Sequence, residues 1–579
     1  MSNAYDLLRS SAIGLITSTG LVSPSAVVIA EPKQRELADL SFAVFGAAKA
    51  HGVAPPVFAQ QLAESITLPP DSIFKTIEAA GGFLNFKVKP AALASLIFNE
   101  VDIAPDTYGH DLSYGANQTV IVEYSSPNIA KKLHVGSLRT TVIGHALYNI
   151  HKALGYTTIG DNHLGDWGTQ FGYLLAAIED APSPPWDSPE PVTTMMRLYS
   201  DFYQASEEDP DKKTRARAWF RKLEEGDTWA RSIWQKLVDI SLEEFEVIYA
   251  RLGIRFDTAL GESWFEPMLA PLIAQAIESG VATTEPSGAI SVHFDEQLPS
   301  CLLRKTDGAT LYQTRDAATC MHRWDTYKPT RNIYVVGAEQ RLHFQQVFEI
   351  VRRLGYPEIA DRSVHVTFGM VTGANGERFK TRKGNVIFAD EILDEAVRRA
   401  KEKVLEQVES GRAEVSTPED IDRVSEMIGL GAVIYFDLHQ GSERNIAFDW
   451  DRILAFDGNT GVYLQYMHAR CCNIVRKAGG VPQWVDTSVL TTDEEHALIC
   501  QLTRITGALR DAGNRYSPSS VATWTFDLAR DFSRFYDRCP VLGTDNLALR
   551  DARIKLCDAV SVALRSGLGL LGMGAPERM

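Results

Sequence analysis

A carboxylate, an amide, two ammonium groups and an imidazole crowd into one short stretch, VEYSSPNIAKKLHVG, as Glu123, Asn128, Lys131, Lys132 and His134. An imidazole can donate hydrogen bonds to phosphate oxygens, a nearby lysine adds charge, and a glycine such as Gly136 lets a nucleotide approach the backbone closely. Each residue alone also fits a structural role, and Thr140 and Thr141 fit local packing or capping better than reaction. The elements around the stretch support the chemical reading. TVIVEY at 119–124 is a β-branched strand candidate, SSPN is a turn, HVGSLRTTVIGHALYNIHKAL from 134 has helical periodicity, and YTTIGD at 156–161 reads as a second strand. That βαβ pattern predicts a parallel sheet, in which ligands bind beyond the C-terminal strand ends where helix N-termini favour anions.

Outside this unit, helical stretches are expected around Arg35 to Lys49 and Val57 to Ser65. The apolar segment GGFLNFKVKP at 81–90 and a turn-rich boundary, VDIAPDTYGHDLSYGANQ, follow. Five prolines in APSPPWDSPEP, 181–191, exclude an uninterrupted helix there and introduce a helical insertion. The charged run SEEDPDKKTRAR reads as its solvated face. Sheet patterning returns with GAISVHF, ATLYQTRD and NIYVVGAEQ, a glycine-rich loop follows at GANGERFKTRKGN, and helical patterns dominate after Ile392.

The chain has 579 residues, 45% hydrophobic and 23% charged, enough for several cores. Its net charge of −16 argues against unspecific coating of nucleic acid, which is largely electrostatic, but not against a local basic face. Residues 501–579 carry a net charge of +3. The seven cysteines contain no CxxC pair, so buried thiols in a reducing compartment are expected, with no protein-held metal. The start lacks a basic leader before a long apolar run, and no apolar stretch is long enough to span a bilayer. A cytoplasmic protein is expected.

The phrases VEYSSPNIAKKLHVGSLRTTVIG, NHLGDWGTQFG, LLRKTDGATLYQTRDAAT, YVVGAEQ and GLGLLGMGAPERM are long, ordered and spread along most of the chain. In them the sequence closely resembles the class I arginyl-tRNA synthetases. The resemblance implies a multidomain α/β and all-α protein. It would hold a Rossmann-like parallel-sheet catalytic domain, a small α+β N-terminal domain and a helical C-terminal anticodon-binding domain. The expected divisions are 1–115 for tRNA-elbow binding, 116–400 for catalysis with a helical insertion about 181–300, 401–454 as a helical connection, and 455–579 for the anticodon. It implies L-arginine, tRNA(Arg) and ATP as substrates, Mg2+ accompanying ATP, and a monomer.

The family's first signature is His, a small or apolar residue, Gly, His; here it reads His134, Val135, Gly136, Ser137. Serine keeps hydrogen bonding but loses the charge and reach of imidazole. This departure motivates an alternative, a catalytically weakened paralogue that binds tRNA or arginine. The second signature corresponds to RFKTR, 378–382. The family sets a lysine before the first signature to replace the one missing there, and Lys131 matches it. The resemblance thus assigns catalysis to Lys131, His134, Gly136, Ser137, Lys380 and Arg382. It assigns ATP contacts to His134, Gly136, Ser137, Asp166, Gln170, Phe379 and Lys380.

Guanidinium is planar, permanently charged and rich in donors, so a selective pocket needs fixed carboxylates and a flat or polar companion. Glu123 and Asp316 match the family's acidic contacts and Tyr312 its companion, while Ser125, Asn128 and Gln340 match residues around the amino acid. His163 and Trp167 belong to the same pocket segment. For tRNA the resemblance singles out Asn85, Tyr466, Arg534, Tyr536 and Met579, with His468 a weaker candidate. At helical spacing, Phe526, Leu528, Phe532 and Phe535 read instead as core.

Overall fold

The computed structural model describes residues 3–32, 37–295, 298–373, 387–411 and 414–579. Its first helix, α1 (Ala4–Thr17), starts at Asn3, whose side chain accepts from the Asp6 N–H, and buries Ala4, Leu8, Ala12 and Ile16 at one-turn spacing. The strands β1 (Ile29–Ala30), β2 (Leu40–Ala43), β3 (Phe74–Ala80) and β4 (Phe83–Val88) form an antiparallel sheet in the order β1-β2-β4-β3. The helix expected from Arg35 to Lys49 is corrected here. LSFA pairs with β4, Leu40 opposite Phe86 and Phe42 opposite Leu84, and the helix is confined to Phe45–Ala50. A short apolar run does not distinguish strand from helix by period, and cross-strand burial decided it. Residues 33–36 lie outside the described residues. Helix α2 (Pro90–Ile103) closes this unit.

The expected βαβ unit is β5 (Thr119–Glu123), α3 (Val135–Ala153) and β6 (Thr157–Asp161). The chain then runs through α4 (Thr169–Asp180), a short 3₁₀ turn at Pro185–Asp187, and α5 (Pro191–Glu208), α6 (Pro210–Glu224) and α7 (Thr228–Arg251). Proline stands in the first turn of α5 and α6, where its missing N–H costs nothing. A further helix, Glu266–Glu278, leads to the small antiparallel sheet of β7 (Thr283–Thr284), β8 (Ile290–Val292) and β9 (Cys301–Arg304). ATLYQTRD, expected in sheet, instead starts helix α8 (Tyr312–Tyr327). Thr314 donates back to the Leu303 carbonyl, and Ala317, Ala318 and Cys320 are buried on a helical period.

Strand β10 (Arg331–Gly337), helix α9 (Arg341–Arg353) and strand β11 (Ser363–Phe368) complete a four-stranded parallel sheet in the order β11-β10-β5-β6. Two short strands, β12 (Val371–Gly373) and β13 (Ile446–Phe448), pair in parallel. Between them in the chain lie α10 (Ala389–Glu409) and α11 (Pro418–Leu438). Five long helices then follow: α12 (Gly461–Lys477), α13 (Asp493–Thr503), α14 (Ile505–Arg515), α15 (Ser519–Arg538) and α16 (Leu547–Leu570). Leu528, Phe532 and Phe535 are buried in this bundle and Phe526 is partly buried, as helical spacing suggested. All seven cysteines are free thiols, and only Cys472 is not buried. No helix among the described residues is long and apolar enough to cross a membrane.

The sheet and the helical region are joined by a buried ion pair. Arg139 on α3, 2% exposed, sends Nε to both Asp437 oxygens at 3.1 and 3.0 Å and Nη2 to one at 2.9 Å. Its remaining N–H groups donate to the carbonyls of Gly369, Ser442 and Arg444 at 2.6–3.3 Å. Burial pushes the Asp437 carboxyl above its ordinary value, and the Arg139 guanidinium offsets only part of that rise. Arg139→Ala should lower stability by about 3–5 kcal/mol, the cost of leaving a buried charge unpaired. Urea unfolding should show this as a fall in midpoint with little change in slope.

Candidate active site

The turn after β5 is backbone-strained. Ser125, Ser126 and Ala130 all take positive φ, +67°, +48° and +62°, without being glycine. Such angles persist because neighbours over-determine them. Tyr249 Oη lies 2.7 Å from Ser125 Oγ, Thr141 Oγ1 lies 2.8 Å from the same oxygen, and Ser241 accepts from the Ala130 N–H at 2.9 Å. Asn162 accepts from the Ser126 N–H at 3.1 Å and donates to Tyr249 at 3.3 Å. Gly165 exchanges backbone hydrogen bonds with Pro127 and Ile129, and its missing Cβ leaves room for the Asn128 side chain. Tyr249 and Ser241 lie on α7, so the helical insertion holds the loop in shape.

The loop ends at His134, the N-cap of α3. Its Nδ1 accepts from the N–H groups of Gly136 and Ser137, at 3.0 and 3.2 Å. That use of Nδ1 places the ring proton on Nε2, which becomes a donor at an exposed position ahead of a helix N-terminus. A Cβ at Gly136 would come within 2.8 Å of the imidazole, so glycine is what allows the ring to fold back. Burial and then the Lys131 ammonium hold the imidazole below its ordinary value, keeping it neutral at pH 7. Lys131 is exposed and, with Gln170, lines a cavity of about 250 Å³ beside α4 and α5. Ser137 donates its N–H to His134, and its carbonyl accepts from Thr141 at 2.6 Å.

Opposite the loop stands one face of α8. Asp316 and Arg323 lie seven residues apart, two helical turns, and Tyr312 opens the helix one turn before Asp316. Arg323, 3% exposed, reaches the carboxylates of Glu123, at 2.6 Å, and Asp161. Glu123 therefore contacts an internal cation. Asp316 is hydrogen-bonded to His343 and faces His163 at 3.9 Å. Burial raises its carboxyl, but the two histidines and Arg323 outweigh this and hold it below the usual range. Tyr312 is 57% exposed with Arg315 against its ring, and Gln340 is exposed just before α9. Beneath them Glu262 pairs with Arg315 at 3.0 Å, and burial pushes Glu262 up to about 7.

The structure thus gathers Ser125, Asn128, Lys131, His134, Gly136 and Ser137 on one loop and cap, and ties Glu123 through Arg323 to α8, which itself carries Asp316. Asp166 is drawn elsewhere: both oxygens accept from Ser263, from its N–H at 2.8 Å and its hydroxyl at 2.6 Å. Trp167 is buried against Trp234 and Phe220. Phe379, Lys380 and Arg382 lie outside the described residues. Arg323, His343, Tyr249 and Ser241 were not singled out from sequence. The spacing of Arg323 from Asp316 is the one signal that could have found any of them.

Among the RNA candidates, Asn85 accepts from Ser41 across the first sheet at 2.9 Å. Arg470 lies over the rings of Tyr466 and Tyr536, and Arg534 is mostly exposed. The Met579 backbone oxygen accepts from the Glu414 N–H at 2.9 Å. His468 is buried with Nδ1 on the Pro576 carbonyl, which occupies it structurally.

A parallel sheet that ends in a histidine-capped, glycine-bearing helix start, followed by a helical bundle, is the arrangement expected of a class I aminoacyl-tRNA synthetase, and the family match places the chain in that class. The match is made by residues 105–450 to the family described as tRNA synthetases class I (R), catalytic domain, by 9–88 to the arginyl tRNA synthetase N terminal domain, and by 464–579 to the DALR anticodon binding domain. The chain belongs to the arginyl-tRNA synthetase family. It is 44% identical to the arginine–tRNA ligase of Chloroflexus aurantiacus over 567 residues, 97% of each chain, and 40% identical to that of Clostridioides difficile over 95% of each. In fold it is similar to the arginyl-tRNA synthetase of Thermus thermophilus, with a TM-score of 0.80 at 24% identity over 99% of each chain.

The cap and the exposed donor of His134 can be separated. His134→Ala should cost about 0.5–2 kcal/mol in a urea melt, whereas His134→Asn, which still caps, should recover most of it. Imidazole NMR should place the His134 midpoint below the ordinary ~6.5, and Lys131→Met should move it upward. A depressed histidine pKa means that the unfolded chain binds the proton more readily. This contribution to stability is therefore complete above pH ~6.5 and is lost as pH falls through that value toward the folded midpoint.

Proposed function

We propose that the loop after β5 and the facing side of α8 form the site at which this chain activates L-arginine with ATP and transfers it to tRNA(Arg), releasing pyrophosphate and AMP. The observation that carries this reading is the His134 cap. It leaves a fixed, neutral Nε2–H donor beyond the end of a parallel strand, next to Lys131 and across from the carboxylates of Glu123 and Asp316.

The chemistry asks little proton transfer of the protein. The arginine carboxylate is already ionised and attacks the α-phosphate in line, so catalysis consists of placement and of donors for the charge on the phosphate oxygens. His134 Nε2–H and Lys131 supply these donors, while the N–H groups of Gly136 and Ser137 hold the His134 ring in place. Lys380 and Arg382 are proposed as further catalytic cations, and Phe379 and Lys380 as further ATP contacts. Mg2+ accompanies ATP and neutralises phosphate charge. Ser137 contributes through its N–H, which stabilises the His134 ring, and this use does not require imidazole at that position.

Asp316 is proposed to take the guanidinium, with Tyr312 as its flat neighbour. Glu123 adds negative potential while tied to Arg323, and Ser125, Asn128 and Gln340 surround the α-amino and carboxylate end. Asp166 and Gln170 shape the adjoining ATP side. Lysine keeps the charge of arginine but lacks its planar fork, and the groups it leaves unpaired would exclude it. For tRNA, we assign elbow contact to 1–115 through Asn85 and anticodon contact to 455–579 through Tyr466, Arg534, Tyr536 and the Met579 end. The catalytic unit is taken as 116–400, and 401–454 is its helical connection. A cytoplasmic monomer fits this reading.

Purified protein with ATP, Mg2+ and total deacylated tRNA should charge arginine and none of the other amino acids tried separately. Lys131→Ala should lower kcat by about 10²–10³, as loss of one preorganised donor does. Asp316→Asn should raise KM for arginine about 10- to 100-fold with KM for ATP little changed, since a charge-assisted contact contributes about 1.5–3 kcal/mol. Charging that is absent, or not selective for arginine, would overturn the assignment.

A further inference from the structure

Far from the catalytic loop, three potential metal ligands from opposite ends of the chain meet. Asp39 precedes β2 in the N-terminal sheet, and His496 and Cys500 lie one turn apart on α13. Asp39 Oδ1 is 3.0 Å from His496 Nε2 and 3.7 Å from Cys500 Sγ, and the sulfur is 3.6 Å from the same nitrogen. A tetrahedral zinc ion with Zn–N and Zn–O of about 2.0–2.1 Å and Zn–S of about 2.3 Å requires ligand-to-ligand edges of about 3.3–3.6 Å. The three atoms therefore already span nearly the right triangle.

The surroundings fit an ion. Asp39 is 8% and Cys500 7% exposed, and a carboxylate with a thiolate would cancel the charge of a divalent cation at this buried place. The second Asp39 oxygen accepts from the Val88 N–H at 2.8 Å, the kind of outer hydrogen bond that orients a ligating carboxylate. A cavity of about 20 Å³, lined by Asp39, Cys500, Thr503 and Arg504 among others, adjoins the group. One water needs about 10–15 Å³, so a water fits beside Asp39 and Cys500.

We propose that Asp39, His496 and Cys500 bind Zn2+, with a water as fourth ligand, and so clip the N-terminal sheet to helix α13 of the C-terminal bundle. On binding, the metal replaces the Sγ–H proton, which leaves to solvent, and the Nε2–H that His496 gives to Asp39 in the metal-free protein moves to Nδ1, which frees Nε2 for the ion. One proton is released per ion and no redox change occurs. Helix α12 supplies an internal control: His468 and Cys472 have the same spacing at 3.7 Å, yet the pair belongs to no such three-ligand group among the described residues.

The full-length protein, stripped with EDTA and dialysed under reducing conditions, should be titrated with Co2+. Tetrahedral d–d bands and a thiolate-to-cobalt charge-transfer band should saturate at one equivalent at micromolar protein and be displaced by Zn2+. Cys500→Ser should abolish the charge-transfer band. His496→Gln and Asp39→Asn should weaken affinity by more than the roughly 10- to 100-fold that outer-sphere partners cost. Cys472→Ser should change nothing. A wild-type protein without the charge-transfer band or without saturation at one equivalent would overturn the proposal and leave the group a hydrogen-bonded cluster. So would a band that survives Cys500→Ser or disappears in Cys472→Ser. The wild-type titration decides the matter even if a variant fails to fold.

Discussion

Two adjacent parallel strands end on acidic residues that the register sets side by side, Glu123 on β5 opposite Asp161 on β6. Like charges facing each other across a ladder repel, and burial worsens this by removing water. Arg323 resolves it from α8, lying within reach of both carboxylates. The sheet's ligand-facing end consequently depends on a helix that begins almost two hundred residues after β5. That helix cannot shift without exposing two buried negative charges to each other. The same constraint fixes Asp316, two turns earlier on α8, and with it the spacing between the strand ends and the carboxylate that faces His163 and His343.

The strained turn after β5 is the counterpart on the other side. Three non-glycine residues with positive φ would relax if left alone, each at a cost of order 1–3 kcal/mol. Tyr249 and Ser241 on α7, with Asn162 after β6, hold them by hydrogen bonds to side chain or backbone. The inserted helices between β6 and α8 are thereby part of the site's mechanics. Their support delivers His134 to α3 with one ring nitrogen consumed as a cap and the other free to donate. The tautomer is set by the cap, a local device that costs no additional residue.

Remote connections serve the outer units. Arg510 on α14 binds both Asp6 of α1 and Asp111 of the boundary loop, while Arg139 and Asp437 bind the sheet to the helices that follow. Asp39, His496 and Cys500 add a contact of a different chemical kind between the same two ends. Units placed at the extremities of the chain are thus referenced to one another through buried and half-buried polar groups, whose geometry is stricter than that of apolar packing.

Short-range regularities were legible in the residues themselves. β-Branched TVIVEY, the helical period after His134, the proline-broken segment before α5 and the aromatic row of α15 each lie in one continuous stretch, where β-branching, proline content or helical period defines them. LSFA and ATLYQTRD were not, because a run of four to eight residues carries too little period and its partners lie elsewhere. In the site, the loop residues and Asp316 could be named from the phrases in which they occur. That Glu123 would be tied to Arg323, and that Asp166 would turn to Ser263, could not. Those pairings, like Arg139 with Asp437 or Asp39 with His496, join residues from 97 to 457 positions apart. The sequence by itself determined the family, the local elements and the chemical types present; the tertiary structure decided which charges meet. Local backbone preference acts over one or two turns, whereas a buried charge must find whichever partner folding brings within about 3 Å of it.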